Sequence, residues 1–183
     1  LPESMRRSFN SPLARGVEWG KPFGFLLRAR HVLTEADAIL TCNQREAAMI
    51  RQQHPDRRVI VQPHGVAAHL YEVDHRGAAR TAFPQIVGRN VLLSVGRIDP
   101  VKNQGWLIEQ MPELMRRHPG MLLVLAGACT DEGYGEALDK RIAQLGIGAH
   151  VLLTGKLPPA DPRLIGLMQE ARVAILPSIS ETF

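Results

Sequence analysis

Two cations five residues apart, Arg97 and Lys102, and a carboxylate about eighty residues later, Glu181, are the side chains whose types and setting best suit chemistry on a ligand. The cations fall in the stretch 90–104, Asn-Val-Leu-Leu-Ser-Val-Gly-Arg-Ile-Asp-Pro-Val-Lys-Asn-Gln. Residues 91–95, apolar but for Ser94, form a run of strand length, as a parallel strand buried on both faces reads, and Gly96 lets the chain turn at its carboxyl end. A helix follows, with Asn103 as the expected N-cap and Leu107, Ile108, Met111, Leu114 and Met115 at helical spacing. Arg97 and Lys102 therefore occupy a short loop between a strand's carboxyl end and a helix start. Ligands of open α/β sheets bind there, and helix N–H groups already favour an anion. This predicts a phosphate grip. Glu181, expected at the end of a later strand of the same sheet, is an acceptor-only group that suits hydroxyls. A sugar joined to a diphosphate fits both halves.

These side chains need a scaffold, and the composition supplies one. The 183 residues are 45% hydrophobic, enough for one large domain or pieces of two. No apolar run approaches the roughly 18 to 20 residues that span a bilayer. Cys42 and Cys129 lie far apart with no partner at ligand spacing, so buried, reduced thiols are expected rather than a disulfide or zinc framework. The chain opens on Leu1 with nothing resembling a signal peptide, and it reads as an internal piece of a longer protein. Net charge is +4, and the excess sits early: residues 1–60 hold ten Lys or Arg against six acids, and the remainder holds twelve of each. A basic face of that kind suits an anionic acceptor or a lipid surface, while at this density a solvated surface is the plainer reading. Nucleic acid is disfavoured, because only 5% of residues are aromatic and no binding-module pattern is present.

Taken in order, residues 1–20 are broken by Pro2, Pro12, Gly16 and Gly20 and predict a loop. A helix is expected over 23–36, a strand over 38–42, a helix capped by Asn43 running to Gln53, and a strand over 59–62. The strand-helix-strand unit implies a parallel pair. We assign 1–66 to the end of a first Rossmann-like domain and 67–89 to a linker, opened by Pro63-His64-Gly65-Val66 and showing weak periodicity. Residues 90–183 form a second domain. There strands at 91–95, 121–126, 151–154 and 173–176 alternate with helices at 104–118, 134–145 and 161–171, which predicts a doubly wound parallel sheet. Gly96, Gly127, Gly155 and Pro177 close the four strands, so four tight turns converge on one edge. Gly146 suits a helix C′ position, Asp161-Pro162 reads as an N-cap with Pro at N1, and Pro112 is expected to kink the helix it interrupts. Trp106, Met111 and Met115 are expected in or near the core.

The run Ser94-Val95-Gly96-Arg97-Ile98-Asp99-Pro100-Val101-Lys102-Asn103, with Pro177-Ser178-Ile179-Ser180-Glu181-Thr182-Phe183 downstream, resembles the retaining, nucleotide-sugar-dependent glycosyltransferases of family 4. The resemblance extends from about Phe25 onward and implies the GT-B fold of two Rossmann-like domains, both incomplete in this chain. It implies that Arg97 and Lys102 hold the donor diphosphate and neutralise the leaving group, and that Glu181 contacts donor sugar hydroxyls. Gly96, Ser180, Thr182 and Phe183 belong to the same donor site. Gly155, Lys156 and Leu157 take the position whose backbone meets the base, with Lys156 itself reading more simply as a surface lysine. His64 and Gly65 fall where the interdomain connection enters the cleft. The family's second Glu and its Gly-rich acceptor loop have no counterpart in this chain, so this piece alone is expected to lack transferase activity.

The resemblance further implies a nucleotide-sugar donor, a carbohydrate or lipid-linked acceptor, no cofactor and no metal. It implies a cytoplasmic location, with peripheral contact at the membrane's inner face as one option. His64, His69 and His75, spaced by five and six, match no metal-ligand geometry. Asp99-Pro100 reads as the turn that presents Lys102. A nicotinamide dehydrogenase and a P-loop protein are disfavoured because neither glycine fingerprint follows any strand. A nucleotide-sugar epimerase, a phosphorylase, or a donor-binding domain without turnover stays open as an alternative.

Overall fold

The computed structural model describes residues 33 and 35–179, which form two compact units dividing between Gly65 and Val66. The loop expected over 1–20 and nearly all of the helix expected over 23–36 lie outside the described residues.

In the first unit, β1 (Ile39–Thr41) and β2 (Val59–Val61) pair in parallel, with Ile39 opposite Val59. The helix between them, α1 (Gln44–Gln53), begins where Asn43 Oδ1 accepts the Glu46 N–H at 2.8 Å, the cap its residue type predicts. Ala47 is the residue of α1 that is fully buried. Arg51 reaches across to the Val59 carbonyl at 3.0 Å and ties the helix's last turn to β2. Cys42 is half-buried rather than buried, at the strand's exit.

The second unit is a four-stranded, all-parallel sheet. Its strands are β3 (Asn90–Val95), β4 (Met121–Ala126), β5 (Val151–Gly155) and β6 (Val173–Ala174), in the spatial order β5-β4-β3-β6. Alternate residues of β3 and β4 feed two cores, as strands covered on both faces must. On one face Leu92, Leu123 and Leu125 meet Leu107, Ile108 and Met111 of α3 (Gln104–Arg117) and Leu138 and Ile142 of α4 (Glu132–Gln144). On the other, Val91, Leu93, Leu122 and Val124 meet Leu164 and Leu167 of α5 (Pro162–Glu170). A bidentate pair from Arg141 to Glu109, at 2.6 and 2.8 Å, bridges α4 to α3 at the surface. Among the described residues no helix is long and apolar enough to cross a membrane.

Several expectations are corrected here. The segment 67–89 is no bare linker. It contains a 3₁₀ turn at Ala68–Tyr71, the helix α2 (Arg76–Ala82) and a second 3₁₀ turn at Pro84–Ile86. Ala79 and Ile86 are buried in the second core. A Cβ on Gly166 of α5 would collide with the His75 carbonyl, so glycine permits the close approach of α2 and α5. Small contact residues give little hydrophobic periodicity, which is why this element was hard to read. Helix α4 starts two residues before Tyr134, because Asp131 caps it by accepting the Tyr134 N–H. Strand β6 is two residues long and Val173 is half-exposed, since β3 is its only neighbour among the described residues. Trp106 is exposed on α3 while Met111 is wholly buried, and Cys129 is exposed.

Asp161 accepts from the Arg163 side chain at 2.6 and 3.0 Å and from its N–H at 2.9 Å. Those bonds, the side-chain ones first, hold its carboxyl down at about 2 from 3.8. A carboxyl whose folded pKa is depressed adds stability above its unfolded pKa and loses it as pH falls through the folded value. Asp161→Ala is therefore expected to flatten the acid limb of a stability–pH curve between about 4 and 2. Urea midpoints taken across that range check this, and an unchanged limb would refute it.

Candidate functional site

Strand β6 adds to β3 on the side away from β4, so the sheet's topological switch point lies between β3 and β6. Crevices outside such carboxyl ends are where open α/β sheets take their ligands. Two loops form the rim, 96–103 after β3 and 175–179 after β6. They are joined directly. The Ile179 N–H donates to the Val101 carbonyl at 2.8 Å, and the Asn103 amide donates to the Pro177 carbonyl at 3.2 Å. The Arg97–Lys102 loop and the first residues of the Pro177 segment thus share one edge, although more than seventy residues separate them. Ser180, Glu181, Thr182 and Phe183 lie outside the described residues.

Asn103 reaches this position by an unexpected route. It stands at the N-cap of α3 but in a left-handed conformation, φ 56°, and its side chain caps no helix N–H. The amide serves the loop–loop junction instead, a tertiary bond that local capping preference does not foretell.

Asp99 organises the loop. The carboxylate is nearly buried; Oδ1 accepts the Lys102 N–H at 3.1 Å, and Oδ2 pairs with the Arg97 guanidinium at 3.2 Å. The first bond is the turn expected of Asp99-Pro100. The second was not foreseen, though an acid two residues after one cation and three before the other is the signal that could have shown it. Gln104, also buried, donates to the Arg97 carbonyl at 2.6 Å and fixes the backbone beneath the guanidinium. The Lys102 stem crosses Gly96, with Cδ and Cε 3.6 Å from where a Cβ there would stand. Arg97 keeps 63% of its side chain exposed, so its charge faces solvent and any ligand that enters.

Beside this rim is a cavity of about 330 Å³, lined by Gly96, Arg97, Gly127 and Ala128 from two strand ends and by Lys156, Leu157 and Pro159 after β5. Leu164 and Met168 of α5 and Tyr71 complete it. The ends of β3 and β4 are pressed together: a Cβ on Gly127 would overlap the Gly96 carbonyl. Gly155 ends β5 with φ 70°, a turn that glycine makes without strain, and delivers Lys156 and Leu157 to the cavity wall. Of the residues singled out in the sequence, Gly96, Arg97, Lys156 and Leu157 come together here, with Lys102 adjacent across Gly96. His64 and Gly65 belong to the first unit and are exposed. Tyr71, Leu164 and Met168 were missed, since nothing in the spacing of 66–89 announces that Tyr71 returns to this edge.

An all-parallel sheet covered by helices on both faces, with its glycine-closed strand ends and paired cations around a switch-point crevice, defines an α/β fold of the GT-B type. Solved structures agree. Anabaena Alr3699/HepE in complex with UDP superposes with a TM-score of 0.66 at 20% identity, over 82% of this chain and 41% of that one. Sucrose-phosphate synthase from Thermosynechococcus elongatus does so with a TM-score of 0.66 at 21% identity, over 86% of this chain and 39% of that one.

The family model Glycosyl transferases group 1 matches residues 78–183, and the chain belongs to that family. It is 32% identical over 181 residues to the D-inositol 3-phosphate glycosyltransferase of Nocardia farcinica, covering 95% of this chain and 39% of the relative. The enzyme of that name from Mycolicibacterium paratuberculosis is 31% identical over 180 residues, with 95% and 39% covered. The chain therefore spans about 39% of the length of these curated relatives.

Proposed function

We propose that the whole protein is a retaining glycosyltransferase of family 4 that moves a sugar from a nucleoside-diphosphate donor to a carbohydrate or lipid-linked acceptor. The observation that carries this reading is the junction of the 96–103 and 175–179 loops at the switch point. It ties a cationic loop to the segment leading into Ser180 and Glu181, beside a cavity walled by Gly96, Arg97, Lys156 and Leu157. Membership of the family and the UDP bound in the Anabaena neighbour support a nucleotide-sugar donor.

In this reading Arg97 and Lys102 grip the diphosphate and, with the N-terminus of α3, stabilise the negative charge that develops as the glycosidic bond breaks. Held in place beforehand by Asp99 and Gln104, Arg97 needs little reorganisation at that moment. Protein cations supply the neutralisation, so the proposal involves no metal and no cofactor. Glu181 accepts from donor sugar hydroxyls, with Ser180, Thr182 and Phe183 beside it. The backbone of 155–157 meets the base. Cys129 is an exposed thiol outside any disulfide, which suits a reducing compartment, hence a cytoplasmic location. The basic early segment suits a peripheral contact with the inner face of the membrane.

The test is to incubate the intact protein with a panel of nucleotide sugars, with and without acceptors that include an inositol phosphate, and to follow nucleoside diphosphate release. We expect release from one donor, stimulated by an acceptor, with the anomeric configuration kept in the product. Release from none, alongside calorimetry showing no nucleoside diphosphate binding, would overturn the proposal.

A further inference from the structure

The cavity beside Arg97 contains one aromatic ring among its described lining residues, and that ring comes from a segment outside the sheet. Tyr71 ends the 3₁₀ turn Ala68–Tyr71, is 39% exposed, and lines the cavity with Arg97, Lys156, Leu157 and Pro159. Its hydroxyl makes no hydrogen bond among the described residues. The backbone that carries the ring is tied down by a side chain far along the sequence. Gln169, near the end of α5, donates through Nε2 to the Val73 carbonyl at 2.8 Å and the Tyr71 carbonyl at 3.4 Å. Its Oε1 accepts the His75 N–H at 2.8 Å. One amide therefore spends both its donor and its acceptor function on the backbone of 71–75. Arg76 Nε donates to the Gln169 carbonyl at 3.2 Å, and Gly166, one turn earlier, lets the His75 carbonyl come close. A segment that only connected two domains would not need its backbone fixed from three directions.

We propose that Tyr71 contacts the donor by laying its ring against the planar base of a nucleoside diphosphate, and that Gln169 is the positioning residue that sets the ring there. This rests on the donor-site reading given above and adds an aromatic wall supplied by the segment before α2. The cavity suits the division of labour: Arg97 offers a charge to the diphosphate, while Leu157, Pro159 and Tyr71 offer apolar and aromatic surface to a base. Stacking on an aromatic ring tolerates different bases, so Tyr71 contributes affinity, and the 155–157 backbone contributes the choice between bases.

The experiment uses the intact protein and calorimetry with UDP, GDP and ADP, followed by steady-state kinetics with the sugar conjugate of whichever binds. Tyr71→Ala is expected to weaken that nucleotide about 10-fold. It should raise KM with little change in kcat, as loss of uniform binding does. Tyr71→Phe should restore affinity to within about 2-fold, since the ring and not the hydroxyl makes the contact. Gln169→Leu should weaken binding as well, and the double variant Tyr71→Ala/Gln169→Leu should lose no more than the worse single one, because one residue acts through the other. A purely structural Gln169 would give additive losses, which would overturn its role. Unchanged affinity in Tyr71→Ala, or a Phe variant as weak as the Ala variant, would overturn the ring contact while leaving the donor site standing. A wild-type protein that binds none of the three nucleotides would overturn the donor-site reading and this assignment with it.

Discussion

Replacing Arg97 by alanine in the intact protein is expected to lower affinity for nucleoside diphosphate roughly 10- to 150-fold, the worth of one charge-assisted contact of about 1.5–3 kcal/mol. Two effects act in the same direction. The guanidinium that faces the cavity is lost, and the Asp99 carboxylate that it neutralised at 3.2 Å is left with the Lys102 N–H as its remaining described partner. A negative charge then stands beside the place where phosphates bind. Lys102→Ala removes the second cation and the stem that crosses Gly96, and should cost a comparable factor. In the double variant the loss in kcat/KM should reach about three orders of magnitude or more, because both groups act on charge that grows as the leaving group departs. Asp99→Asn is the informative control. It keeps an oxygen for the Lys102 N–H and removes only the ion pair, so it should weaken binding far less than Arg97→Ala. Calorimetry with the preferred nucleoside diphosphate reads all four proteins; unchanged affinity in both alanine variants would refute the phosphate grip.

Gly127→Val is expected to have the largest effect on the folded state. The residue follows β4, and any Cβ there would overlap the Gly96 carbonyl, a backbone atom that no side-chain rotation can move aside. Three hydrogen bonds make the junction stiff: Gly96 N–H to the Ala126 carbonyl at 2.9 Å, Ile98 N–H to the Ala128 carbonyl at 2.8 Å and Thr130 N–H to the Ile98 carbonyl at 3.2 Å. Accommodating a β-branched side chain means prying these two strand ends apart, at about 1–3 kcal/mol or more by the usual cost of overpacking. For a protein of this size that is a fall in melting temperature of roughly 2–12 °C. Because Arg97 follows Gly96 directly, the same displacement should carry the guanidinium away from the cavity, so affinity should fall along with stability. Differential scanning calorimetry and nucleotide titration on one preparation check both arms. A variant with wild-type melting and wild-type binding would refute the tight apposition of the two strand ends.

Much of the second unit could be read from its residues. The runs 91–95, apolar but for Ser94, and 121–126 have strand length and end at a glycine, which favours a parallel strand covered on both faces, so the sheet and its flanking helices followed from pattern. Asn43, Asp161 and Gly146 did what their chemistry dictates locally. The same holds for Arg97 and Lys102: a strand end, a glycine and a helix start put them in a ligand-binding loop whatever the rest of the chain does. Asn103 shows the limit, since a good cap residue spent its amide on Pro177 once a distant loop came within reach.

Legible in the residues was therefore what neighbours in the chain fix: the strands and most helices of the second unit, α2 excepted, and the side chains at their ends. Tertiary structure decided the rest. It paired Asp99 with Arg97, joined 101 to 179 across the switch point, and brought Tyr71 to the cavity on the hold of Gln169. The physical reason is range. Propensity, capping and hydrophobic period act over a few residues, whereas these contacts join groups up to 98 residues apart, and they form only after the sheet has set its strand order.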